Sequence, residues 1–217
     1  MSINIAIQAI SEFQGTSLTA NLAHIESLVV GLDSIKLQEL CVGRNINDQL
    51  LASAVSIKKL AGQINVIIHA AGILCSLPAI LKPGEVVESI SLGAGNTGRR
   101  FDLETNLRVA EYKFIDWRGG SESIRQNGVF KDFYSLAEYE TRKSKHLYVV
   151  EAHYPLKFLT GGRALSSVLS RFPVILVNIH RKYGQSITKV RDYYELKKLE
   201  VEIRDISRLI GRNSTVL

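Results

Sequence analysis

The stretch Phe101-Asp102-Leu103-Glu104-Thr105-Asn106-Leu107-Arg108-Val109-Ala110-Glu111-Tyr112-Lys113-Phe114-Ile115 decides the reading of this chain. Two short apolar runs meet at Thr105-Asn106, and each carries acids where a strand should be hydrophobic. Strand side chains alternate between faces, so Glu111 projects with Lys113, and Asp102 with Glu104. If the two runs pair as a hairpin, a carboxylate from each can converge with one ammonium. The second run is apolar on both faces, with Leu107, Val109 and Ile115 on one and Ala110, Tyr112 and Phe114 on the other, which predicts a central, covered strand. Charges in such a strand are costly unless paired or bound to a metal.

The flanks of this stretch set its context. Upstream, Val86, Glu88, Ile90 and Leu92 alternate with Val87, Ser89 and Ser91, a strand pattern that ends in Gly93-Ala94-Gly95-Asn96-Thr97-Gly98. Those glycines spell G-x-G-x-x-G, and Glu111 lies near the spacing of a ribose-binding acid. A dinucleotide fingerprint must open a helix, however, and Arg99-Arg100-Phe101-Asp102 leads into another strand-like run. The glycines are therefore read as a hairpin turn, the alternative being a loop whose amides, with Arg99 or Arg100, touch a nucleic-acid phosphate. Downstream, Asp116-Trp117-Arg118-Gly119-Gly120 breaks the chain, with Asp116 as a turn or helix-entry residue. Ser123 with Gln126 fits a capping box, with Ser121 as a rival cap. The helix that follows aligns Ile124, Val129, Phe133, Leu136 and Ala137 on one face and carries Arg125, Gln126 and Lys131 near its start.

Further out, the first third reads as helical. Leu22, Ile25, Leu28, Val29 and Leu32 fit one helical face, and Leu50, Leu51, Ala54, Val55, Ile57, Leu60 and Ala61 another, with Asn47 or Asp48 as cap and Gly62 as a stop. The uncharged run Ile64–Leu81, interrupted by Asn65, His69, Ser76 and Pro78, predicts a buried core helix with a kink or break at Pro78 rather than a membrane span. His24 and His69 lack partners at ligand spacing and read as core or surface residues. Lys82-Pro83-Gly84 closes the region as a turn. After the central helix, 146–152 and 173–179 read as strands, with a short helix between Arg163 and Arg171. Leu196, Leu199, Ile203, Ile206 and Ile210 recur at three- and four-residue steps, predicting a long amphipathic helix over Ile187–Ile210 that either docks on its own core or forms a homodimer seam.

Composition bounds the function. The chain has 217 residues, 46% hydrophobic and 22% charged, enough for one good core or for one domain plus a helical extension, and unlike a disordered chain. The net charge of +6 is uneven: residues 1–98 hold 5 Lys/Arg and 7 Asp/Glu, leaving 22 and 14 for residues 99–217. The positive excess thus accompanies the candidate site and favours an anionic partner. Cys41 and Cys75 form neither a metal motif nor a disulfide framework, which, with no secretion signal at the N-terminus, predicts a cytoplasmic protein without membrane association.

The predicted order of helices, three strands, helix and strand resembles the PD-(D/E)xK, or restriction-endonuclease-like, nuclease superfamily over roughly Glu85 to Ala152. Asp102 stands at the Asp of the family signature and Glu111-Tyr112-Lys113 at its Glu-x-Lys, while Phe101 replaces the family's proline. The resemblance implies an α/β fold with an αβββαβ core and a mixed sheet, placed at 85–186; the helical N-terminal region at 1–84, packed on that core, and the long C-terminal helix at 187–217 are added elements of what reads as one compact domain. It further implies hydrolysis of phosphodiester bonds, most naturally of DNA, with RNA also open, by Asp102, Glu111 and Lys113. Mg²⁺, or Mn²⁺ in its place, would be held by Asp102, Glu111 and the backbone carbonyl of Tyr112. Lys113 would orient or deprotonate the attacking water or stabilise charge on the phosphate. Arg125, Gln126, Arg99 and Arg100 are candidate phosphate or water contacts, and Glu88 and Glu104 candidate additional acids. The competing expectation is a catalytically silent nucleic-acid-binding or protein-interaction module on the same fold.

Overall fold

The computed structural model describes residues 2–93, 98–114, 117 and 123–210. The expectations for Ile115, for Asp116 and for the cap at Ser121 fall outside these residues, as does the tip of the glycine turn. The chain divides into two compact units, Met1–Asn65 and Val66–Leu217.

The first unit is helical, as the sequence predicts: α1 (Ile3–Gln14), α2 (Leu18–Val29), α3 (Ser34–Gly43) and the beginning of α4 (Asp48–Ile80). Its boundaries are set by caps. Ser17 accepts from the Ala20 N–H at 3.3 Å, Asp33 from the Lys36 N–H at 2.9 Å, and Asn47 from the Leu50 N–H at 3.0 Å. Gly15 ends α1 at φ 58°, a left-handed conformation that glycine adopts without steric cost. The apolar stripes, by contrast, do not bury what their spacing promised. Leu22, Leu28, Val29, Leu51, Val55 and Leu60 are all exposed.

Two sequence expectations about α4 fail. Gly62 does not stop it and Pro78 does not break it: Asp48–Ile80 is one helix of 33 residues. Pro78 lies so near the C-terminal end that its missing N–H and ring disturb only the last turns. Nor is Ile64–Leu81 a buried core helix throughout, since Ile64, Val66, Ile67, Ile68 and Leu74 are exposed. By length and composition α4 could cross a membrane. Its last turns instead place Ile73, Ser76 and Ile80 inside the second unit's core.

The second unit is built on a mixed five-stranded sheet in the order β1-β2-β3-β4-β5, with β1 (Val87–Ile90), β2 (Leu103–Thr105), β3 (Arg108–Lys113), β4 (Ser144–Val149) and β5 (Glu202–Asp205). β1, β2 and β3 are antiparallel neighbours, and β4 and β5 continue the sheet in parallel. β1 and β2 form the hairpin that the glycine turn predicted, tied by the Ser91 N–H to the Asp102 carbonyl at 2.8 Å. The parallel step from β3 to β4 is made through α5 (Ser123–Ala137). β3 is central, as its two apolar faces predicted.

Alternation along β3 divides the core in two. Val109 faces α5, where Val129, Phe130, Phe133 and Leu136 pack with Leu147 and Val149 of β4. Ala110 and Tyr112 face the end of α4, where Ile73 and Ile80 pack with Leu103 and Tyr148. The approach of α4 depends on Gly72, because a Cβ there would overlap the ring of Phe114. Gly72→Ala is expected to lower stability by about 1–3 kcal/mol, the cost of overpacking a filled contact, read as a fall in thermal midpoint.

Beyond β4 the expected elements need correction. Residues 173–179 form no strand but open α8 (Pro173–Tyr183), with Pro173 at the first helical position and His180, Arg181 and Lys182 in the last turn. The long C-terminal helix does not exist. Residues 187–210 make α9 (Val190–Lys197), β5 and α10 (Ser207–Ile210), so the dimer seam expected on that helix has no basis. Leu199 is 96% exposed while Val201 is buried, because the chain leaves α9 and enters the sheet beside β4. Tyr193 of α9 and Tyr183 of α8 both donate to Glu138, at 2.6 and 2.7 Å, tying these helices to the end of α5. Between β4 and α8 lie α6 (His153–Leu159) and α7 (Leu165–Val168).

Candidate active site

Asp102, Glu111 and Lys113 come together where β2 and β3 part. The ladder between these strands pairs Leu103 with Ala110 and goes no further toward Lys113. Beyond it the Asp102 side chain takes the place of backbone, its Oδ2 accepting the Tyr112 N–H at 3.0 Å. The Tyr112 carbonyl leaves the strand on the same edge as that N–H, the edge facing Asp102. Glu111 and Lys113 share the face of β3 that carries Val109, toward α5.

Two residues that sequence reasoning left out complete the cluster. His69 of α4, read as a core or surface histidine, places Nε2 at 3.3 Å from Asp102 Oδ1 and meets the Phe114 ring edge to face at 5.9 Å. It is the only histidine or charged residue between Lys59 and Lys82, which was the available signal. Asp132 of α5 pairs with the Lys113 ammonium and is buried. Its signal was position: it falls on the same helical face as Val129, Phe133 and Leu136, where an apolar residue belongs.

The electrostatics follow from crowding acids away from water. Burial raises the pKa of Glu111, and the charges of Asp132 and Asp102 add to the effect, bringing it to about 10, so its carboxyl is protonated at neutral pH. Burial also raises Asp102, but hydrogen bonds with His69, the Tyr112 N–H and Glu111 outweigh it and hold this carboxyl below its ordinary value. Lys113 loses solvation, yet Asp132 first, then Glu111 and Asp102, raise its pKa and keep it an ammonium. Burial likewise pushes Asp132 up against the pull of Lys113. With every carboxyl ionised, Asp102, Glu111 and Asp132 would carry three negative charges against one ammonium. Such a cluster attracts a divalent cation or holds protons instead.

The fit to Mg²⁺ rests on this donor set. Asp102 and Glu111 offer two adjoining carboxylates, and Tyr112 a carbonyl on the same edge. Among the described residues no group of three His, Cys, Asp or Glu side chains is arranged to hold a metal ion. Two carboxylates suffice for Mg²⁺, which keeps several of its waters and seldom takes an all-protein cage.

The remaining candidates divide. Gln126, in the first turns of α5, has a buried Oε1 with no hydrogen-bond partner among the described residues, as does Oδ1 of the adjacent Asn127, and Arg125 is half-buried beside them. Arg99 and Arg100 are exposed, and Arg100 stacks on Tyr139 with its guanidinium 4.4 Å from the ring centre. Glu88 and Glu104 do not join the site: both pair with Lys143, at 2.6 and 2.7 Å. They lie toward the opposite end of the hairpin, because β2 carries Glu104 into the paired part of the sheet while Asp102 lies beyond it.

No family model matches the chain, and no curated protein and no solved structure matches it.

Proposed function

We propose that this protein is a metal-dependent nuclease of the PD-(D/E)xK type that hydrolyses phosphodiester bonds, with DNA as the substrate. The observation that carries the reading is the contact of Asp102 with Glu111 at the fork between β2 and β3, beside the Lys113 ammonium. The succession α4, β1, β2, β3, α5, β4, antiparallel through β3 and then parallel, supports it further, being the αβββαβ order of that superfamily.

The chemistry assigns each group a task. Asp102, Glu111 and the Tyr112 carbonyl would hold Mg²⁺, which when bound supplies charge neutralisation at the scissile phosphate and an activated water. Asp102 presents its carboxylate in a fixed direction because the Tyr112 N–H and His69 hold both its oxygens. Glu111 would bind the ion as a carboxylate, its proton passing to solvent. Lys113, kept charged by the acids around it, orients the water or stabilises the negative charge that develops on the phosphorane oxygens. Gln126, whose Oε1 has no partner among the described residues, would contact a water or the substrate. The positive excess of residues 99–217 supplies sequence-independent attraction to the backbone phosphates.

The test is cleavage of duplex and single-stranded DNA and of RNA by purified protein with Mg²⁺ or Mn²⁺. Asp102→Ala, Glu111→Ala and Lys113→Ala should each lower cleavage on the order of 10²- to 10³-fold or more while circular dichroism stays unchanged. Full cleavage by all three variants would discard the assignment. Salt-sensitive binding without any product would favour the silent module instead.

A further inference from the structure

We propose that Asp132 is a positioning residue for hydrolysis, fixing the Lys113 ammonium at the site from a separate element of the fold; this rests on the nuclease reading. Asp132 is only 8% exposed and sits on the face of α5 that Val129, Phe130, Phe133, Leu136 and Ala137 bury in the core. A carboxylate placed there is costly unless it has a partner, and its partner is Lys113. β3 fixes the backbone of Lys113, but a lysine ammonium ends a flexible four-carbon stem and is not located by its strand alone. Two acids compete for it: Glu111, two residues earlier on the same face of β3, and Asp132, across from it on α5. Asp132 wins the contact and so decides where the ammonium stands, leaving Glu111 free to face Asp102. Phe130 and Phe133, both fully buried, anchor the turn that carries Asp132, so α5 sets the ammonium position rigidly. The same helix carries the candidate phosphate or water contacts Arg125 and Gln126 at its start.

The experiment is a double-mutant cycle under saturating Mg²⁺ on a short DNA substrate. Asp132→Asn should lower kcat by about 10- to 100-fold, the scale of a misplaced catalytic group, with KM and the Mg²⁺ dependence unchanged. In a Lys113→Met background, assayed at high enzyme concentration for residual cleavage, the same substitution should change nothing further, because there is no ammonium left to position. Asp132→Glu, which keeps the charge on a longer arm, should recover part of kcat. An equal fall in both backgrounds, or a rise in KM with kcat preserved, would overturn the role. If Asp132→Asn does not fold, Asp132→Glu carries the cycle: it should lower kcat in the wild-type background alone, and an equal fall in both, or none, overturns the proposal. Wild-type protein without cleavage under any condition overturns the nuclease reading itself, whereas active wild type with an additive cycle removes only Asp132.

Discussion

On the nuclease reading, Glu111→Gln is expected to yield a folded protein that is severely impaired in DNA cleavage and that melts at a higher temperature than the wild type. The loss of cleavage follows from removing a charged donor from the site, a change on the order of 10²- to 10³-fold or more. The gain in stability has a separate origin. Burial and the neighbouring Asp132 and Asp102 charges raise Glu111 to about 10, so ionising it is harder in the folded chain than in the unfolded one. The sign is therefore fixed: as pH rises from the unfolded value near 4.5 toward about 10, the wild type loses stability because only the unfolded chain releases that proton freely. A glutamine at this position has no such proton. The difference between variant and wild type should grow with pH across that window and reach about 1–2 kcal/mol near neutrality, a rise of roughly 2–8 °C. Thermal melts from pH 5 to 9 without divalent cation read it directly. A variant that melts below the wild type at pH 8 would show that the carboxyl stabilises the fold instead of costing it stability.

The second large effect lies away from the site, where the β2–β3 turn is pinned to the segment between α4 and β1. Arg108 and Glu85 form a two-pronged buried pair, with Nε–Oε1 and Nη2–Oε2 both at 2.5 Å. Thr105 donates to the same carboxylate at 2.7 Å, and the third guanidinium nitrogen reaches the Tyr148 hydroxyl at 2.6 Å. Arg108→Met strands the Glu85 carboxylate in the core and should cost about 3–5 kcal/mol. Adding Glu85→Leu should recover much of that loss, because a hydrophobic replacement of both partners removes the uncompensated charge. Acid gives an independent check. Burial acts to raise Glu85, but the Arg108 hydrogen bond, the Lys82 N–H and Thr105 outweigh it and lower it to about 2. A carboxyl depressed in the folded state contributes stability above its unfolded pKa and loses it as pH falls through the folded one. The contribution, about 3 kcal/mol, should vanish between pH 4.5 and about 2 in the wild type and be missing from the double variant.

How far the sequence disclosed this molecule depended on whether a signal was local. Apolar residues on both faces marked β3 as central, and the strand-to-strand path after Gly98 argued against a dinucleotide fingerprint. Asp102, Glu111 and Lys113 were legible because a hairpin brings them close in chain and in space. Asp132 and His69 were not, because α4 and α5 approach from elsewhere in the chain: a lone histidine in an apolar run and an acid on an apolar face mark both as unusual without saying which groups they meet. The C-terminal error was a competition between two periods: the three- and four-residue steps of Leu196, Leu199, Ile203 and Ile206 masked a two-residue one. Glu200, Glu202 and Arg204 alternate with Val201 and Ile203, and that alternation is what β5 uses. In the first unit, apolar spacing located helices but not burial, since a stripe records which face could be covered and not whether it is.

The parting of β2 from β3 has one more consequence. Because Asp102 Oδ2 receives the Tyr112 amide proton, that proton reads the state of the carboxylate from inside the backbone. Whatever draws electron density from Asp102 must shift the Tyr112 amide resonance, so the chain carries its own spectroscopic gauge of whether the pocket is charged, neutralised or engaged.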